Sequence, residues 1–154
     1  MLYNVRRYGF GVSQRIKRRI INMNILLVLH SYLRWLIVLV AVVAMIKFAL
    51  GWLRGGEFKS MDRGLSSGLS GLLDLQVTLG LIFMLWTGLA GVGFPMVRIE
   101  HAITMILAAV VAHLPARWKN AADKVRFRNS LFCILAALLL IYAGVMRLPG
   151  GWAR

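Results

Sequence analysis

Four long apolar runs, divided by short polar stretches, account for nearly the whole of this sequence. The first extends from about Ile25 to Leu50 and ends at Gly51, with Trp52 suited to anchor at an interface. The stretch GGEFKSMDRG then breaks the pattern with two glycines and mixed charge. A second run covers about Leu65 to Val92 and ends in GVGFP, where Pro95 forbids helical continuation. The third begins near Arg98 and closes at Pro115; after the basic stretch ARWKNAADKVRFRN, the fourth runs from about Ser130 to Met146 and ends in LPGG. Roughly 17–25 apolar residues in a helix cross the hydrocarbon core of a bilayer. The pattern therefore predicts an all-α integral membrane four-helix bundle, residues 23–154. Its short loops make neighbouring helices antiparallel.

Residues 1–22 (MLYNVRRYGFGVSQRIKRRIIN) are different: basic and weakly periodic, with Arg6, Arg7, Arg15, Lys17, Arg18 and Arg19. They read either as a helix lying on anionic lipid or as an upstream extension, because Met23 opens a compact reading of its own. A cleaved signal fits poorly, since the apolar run that follows is too long and lacks a small-residue cleavage site. Small residues at four-residue spacing, Gly64/Gly68, Ser67/Gly71 and Ala108/Ala112, predict close backbone approach between helices.

Composition agrees with the pattern. Of the 154 residues, 60% are hydrophobic and the mean hydropathy is +0.74. The formal net charge of +14 comes from 19 Lys+Arg against 5 Asp+Glu. In a soluble protein that excess would suggest nucleic acid. Here the cations flank apolar runs, where anionic headgroups attract them, and no basic stripe with interleaved aromatics occurs. Membrane lipid, not nucleic acid, is the expected partner. The charge distribution leaves orientation balanced. The side holding the N-terminus, the second loop and the C-terminus has nine cations, and the other side has eight. Without residues 1–22 the ratio is three to eight, which favours termini outside the cytoplasm. The single cysteine, Cys133, excludes an internal disulfide and any CxxC or CxxCH motif, and reads as a packing residue.

Ionisable residues within spans are costly and mark candidate sites. The spans contain His30, Arg34, Lys47, Asp74, Glu100, His101 and His113, with Gln76 as a polar companion. By depth they form two layers. His30, Arg34, Glu100 and His101 share one side; Lys47, Asp74, Gln76 and His113 share the other. His101 and His113 lie twelve residues apart, roughly 18 Å along a helix and about 120° around it, so they cannot serve one metal centre. His30 with His101 is the same-side pair able to hold one haem b between facing helices. Arg34, one turn from His30, could meet a propionate, and Glu100 could orient an imidazole or neutralise Arg34. Three histidines allow at most one such haem. Against this stand plainer roles: wet or carbonyl-bonded histidines, and interhelical fasteners pairing Arg34 with Glu100, Lys47 with Asp74 and His113 with Asp74. Hydrolase, HExxH metalloprotease, copper and transporter patterns find no support in spacing or repeats.

Residues 24 to 147 resemble short bacterial four-helix membrane proteins labelled cytochrome-b-like. The resemblance rests on LLVLHSYLRWLIVL (His30 to Arg34 and Trp35), DLQVTLGL (Asp74 to Leu81) and RIEHAITMILAAVVAHL (Glu100, His101, His113). It implies a haem on His30 and His101, with His113 in place of one of them as an alternative, in a bacterial inner membrane. Such a subunit would exchange electrons with a quinone beside a respiratory or photosynthetic complex, without catalysis of its own. A cofactor-free accessory subunit of such a complex is the rival expectation.

Overall fold

In the computed structural model the backbone is described for residues 3–153, and the side chains for Ile21 and residues 23–152. The two readings of the basic segment, surface-lying helix or extension, fall on side chains outside the described residues. The fold is an all-α four-helix bundle: α1 (Tyr3–Arg54), α2 (Ser60–Thr87), α3 (Met96–His113) and α4 (Asp123–Met146). Four segments are long and apolar enough to cross a membrane: Met23–Arg54, Ser60–Val92, Met96–Trp118 and Asp123–Met146. The chain is a multi-pass membrane protein by this architecture. Apolar side chains point outward all round the bundle, among them Leu39, Leu89 and Leu139, which suits a hydrocarbon surround.

The helices form a ring in chain order, with α1 packed on α2 and α4, and α3 packed on α2 and α4. α1 and α3 are therefore diagonal across the bundle. Small residues permit the close contacts: Ala41, Ala44, Ala108, Ala112 and Ala137 are all buried in the core. Ala108/Ala112 thus packs as its spacing predicts. The glycines of α2 do not. A Cβ added at Gly64, Gly68 or Gly71 would meet nothing within 4 Å, so that stripe faces out of the bundle. Spacing reports which residues share a face, and not which way the face points.

Helix ends depart from the hydropathy pattern at polar caps. α2 begins at Ser60, five residues before the apolar run, because Asp62 folds into its first turn and accepts the Lys59 N–H at 2.8 Å. The carboxylate also complements the positive N-terminal end of the helix. α4 likewise starts at Asp123 and takes in half of the basic stretch. α2 passes into a π turn, Gly88–Val92, kinked at Gly91 (φ 106°) and followed by Gly93 (φ 74°). Arg98 ties this corner down by donating to Thr87 Oγ1 at 3.1 Å.

Candidate functional site

The cavity at the end of the bundle near the second loop and the C-terminus has a volume of about 740 Å³ and is lined by His30, Arg34, Gln76 and His101. Cofactor and ligand sites commonly occupy roughly 300–1,000 Å³. The diagonal relation of α1 and α3 opens this space: His30 comes from one and His101 from the other, while α2 supplies Leu73 and Gln76 and α4 supplies Ile141 and Val145.

His101 is oriented by α4. Its Nδ1 lies 3.0 Å from the Gly144 carbonyl oxygen, which can only accept, so Nδ1 carries the proton and donates it there. In the neutral ring that leaves Nε2 with the free lone pair, the arrangement common to metal-ligating histidines. Gly144 suits the contact because α3 approaches closely: a Cβ there would lie 2.6 Å from Met105 Cε and 3.2 Å from Thr104 Cγ2.

His30 is set by α2. Gln76 Nε2 donates to the His30 carbonyl at 2.9 Å, and the imidazole fits into the gap left by Gly80, where a Cβ would come within 3.0 Å of Cε1. His30 Nδ1 and Gln76 Oε1 are both buried without a hydrogen-bond partner among the described residues. Gln76 therefore belongs with the His30 layer, and its predicted place beside Asp74 is corrected. Residues two apart point about 200° from each other on a helix, so Asp74 and Gln76 face opposite ways.

The C-terminal turn runs past the cavity, and Leu148 and Gly151 form part of its lining. After α4, Gly150 and Gly151 take φ of 87° and 46°, and the chain doubles back into a short 3-10 turn, Gly151–Ala153. Trp152 thereby stacks on Tyr142 at 6.3 Å and meets Trp35 at a tilt, ring centres 5.7 Å apart, with the Arg34 guanidinium 5.1 Å from its ring centre. Its indole Nε1 is buried without a hydrogen-bond partner among the described residues. LPGG marks the end of the helix in the sequence, but nothing there signals that Trp152 returns to Arg34.

No protein-family model, curated protein or solved structure matches this chain.

The remaining candidate residues lie elsewhere. Glu100 meets neither Arg34 nor an imidazole; its Oε2 accepts from Arg147 Nη2 at 2.9 Å and Nε at 3.3 Å, on the outer face at the C-terminal end of α4. His113 pairs with Asp74, Nε2 to Oδ2 at 2.9 Å, on an exposed part of the α2–α3 seam. It does not line the His30–His101 cavity, so it is no alternative ligand there. Lys47 pairs with Asp62, Nζ to Oδ1 at 3.1 Å, and not with Asp74. Asp62 is only 2% exposed, and hydropathy alone assigned it to a loop. Among the described residues no three His, Cys, Asp or Glu side chains gather as a bare metal site.

The donor set and the space fit a bis-imidazole haem b. Two histidines from diagonal helices line one cavity, and one of them has its ligand nitrogen fixed by a backbone carbonyl. Unpartnered buried atoms of His30 and Gln76 point to an absent polar or metal partner. Arg34 stands at the same cavity as a candidate for an anionic substituent.

Proposed function

We propose that this protein is a haem b-binding subunit of a bacterial inner membrane that transfers single electrons, within or beside a respiratory or photosynthetic complex. The observation that carries the reading is the pairing of His30 and His101 at one cavity of about 740 Å³ with the His101 Nδ1–H held by Gly144. His30 and His101 would hold the haem iron, and Arg34 would meet an anionic substituent of the group. Once bound, the haem would supply a one-electron couple. The chain's own part is to orient two imidazoles and to keep water out with Leu73, Ile141 and Val145. A quinone is the natural small-molecule electron partner in this setting.

The test is a reduced-minus-oxidised absorption spectrum of the detergent-purified protein, with haem content per chain. A sharp α-band at about one haem per chain, lost in His30→Ala and in His101→Ala, supports the reading. A colourless protein purified intact from haem-supplied cells sinks it.

A second reading, a cofactor-free accessory subunit, is favoured by one specific observation. Gly64, Gly68 and Gly71 face open space on the outer side of α2, the kind of surface on which a helix of another chain packs closely. Here the two histidines are packing groups. Purification from native membranes distinguishes the readings, because an accessory subunit co-purifies with a larger complex and carries no haem absorbance itself.

A further inference from the structure

A second cavity, of about 430 Å³, lies at the opposite end of the bundle between α2, α4 and the turn after α3. Most of its lining surface is apolar, but cationic and hydroxylic side chains are set into it. Arg63 and three serines, Ser66, Ser67 and Ser70, come from α2, on the face made by residues three, four and seven apart. Arg126 and Ser130, one turn apart, come from α4, and Lys119 follows the 3-10 turn Leu114–Trp118. Cations thus converge from three separate elements, at the N-terminal ends of two long helices whose dipoles add positive potential.

Part of this lining is preformed. Arg126 is mostly buried, with its guanidinium 4.1 Å from the Phe58 ring centre and a long 3.5 Å contact to Asp123. The stack on Phe58 orients the planar fork, a geometry that matches paired oxygens of a phosphate. Ser70 and Ser130 are buried at 7% and 2% exposure. Of the nearby acids, Asp62 pairs with Lys47 and Asp123 in part with Arg126, while Asp74 meets His113 on the α2–α3 seam. Arg63 and Lys119 remain as surplus charge at the cavity rim.

We propose that this cavity binds a phosphate group, presented at the membrane surface by an anionic lipid headgroup or free in the adjoining solution. A tetrahedral anion accepts hydrogen bonds from several directions at once, which suits donors arriving from three elements. The apolar part of the lining, including Phe58, Ala112 and Pro115, suits the glycerol end of a lipid. The inference is independent of the haem reading, since the two cavities have no lining residue in common.

The full chain in zwitterionic detergent is titrated with phosphatidic acid, phosphatidylcholine and inorganic phosphate, and retained ligand is counted by native mass spectrometry. Arg63→Gln/Lys119→Gln removes the rim charge at exposed positions, where folding is least at risk; Arg126→Lys keeps the charge and loses the fork. Both should weaken phosphatidic acid retention by about tenfold, as loss of a charge-assisted hydrogen bond does. Arg54→Gln/Arg128→Gln, at exposed positions outside the cavity, should change it less than about twofold. Retention of phosphatidic acid over phosphatidylcholine, lost only in the cavity variants, assigns the site to lipid. Binding of inorganic phosphate with the same mutational pattern and no lipid preference assigns it to free phosphate. Equal losses in cavity and control variants, or no selective binding of either anion, overturn the proposal.

Discussion

At the Lys47 end of the bundle, Phe48, Phe58 and Phe127 meet with ring centres 4.8–6.1 Å apart, and Asp62 is sealed beneath them at 2% exposure. At the His30 end the same four helices enclose about 740 Å³ of space, with two imidazoles and a glutamine around it. Gly51 serves the first end by letting the Phe127 ring lie where a Cβ would be only 2.5 Å away. Gly80 serves the second by leaving room for a histidine. A glycine thus tightens the packing at one end and accommodates a functional side chain at the other. The comparison teaches that the two ends hold their polar groups differently. The tight end closes over an ion pair, and the open end keeps His30 Nδ1 and Gln76 Oε1 without a hydrogen-bond partner among the described residues.

Breaking the ion pair should have the largest effect. Lys47→Met leaves the Asp62 carboxylate buried and uncompensated, with an expected loss of about 3–5 kcal/mol in unfolding from detergent. Adding Asp62→Leu should recover much of that loss, less the part due to the Lys59 N–H cap. A single variant as stable as the parent would refute the assignment of the tight end.

Overpacking comes next. Gly51→Val drives a side chain into the Phe127 ring and should cost about 1–3 kcal/mol, read by thermal unfolding. Gly80→Ala presses on His30 at 3.0 Å and adjoins free space, so its stability should change by less than about 1 kcal/mol. On the proposed haem reading its mark should instead be a shifted α-band, and an unchanged band alongside a large stability loss would reverse the contrast between the ends.

Trp152→Ala removes the cation–π and ring contacts with Arg34, Trp35 and Tyr142, worth about 1 kcal/mol. On the proposed haem reading, faster reduction of the bound group by a water-soluble reductant would show that the turn shields it. The smallest effect belongs to Gly68→Ala, where open space and better helix propensity predict a gain of about 0.5–1 kcal/mol in the isolated chain. If that same variant loses co-purifying partners, the outward stripe is a docking face.

Much of the fold was legible because apolar length is a one-dimensional property. A run of apolar residues long enough to span implies a helix, since backbone groups in hydrocarbon must bond within their own segment. That His30 and His101 lie at the same end of the bundle was also legible, because depth follows from rise per residue and antiparallel order. Less could be read of the partners. Asp62 stood in a stretch rich in glycine and charge, and only the cap on Lys59 shows that the helix begins there. Glu100 was assigned by depth to Arg34, but it turns around α3 to Arg147. Ser67 read as a small spacing residue, and only the fold places it in one cavity lining with Arg63, Lys119 and Arg126.

The sequence by itself determined how many helices there are, which ends of them share a side and at what height most polar residues sit, Gln76 being the exception. Only the tertiary structure decided the azimuth of each helix. That rotation points the glycines of α2 outward, separates Gln76 from Asp74 and folds Trp152 back onto Arg34. The reason is physical: in an apolar surround every face of a spanning helix can be hydrophobic, so the sequence carries little amphipathic signal of which face is inside. Packing of small residues and pairing of charges set the rotation instead, and both depend on neighbours distant in the chain.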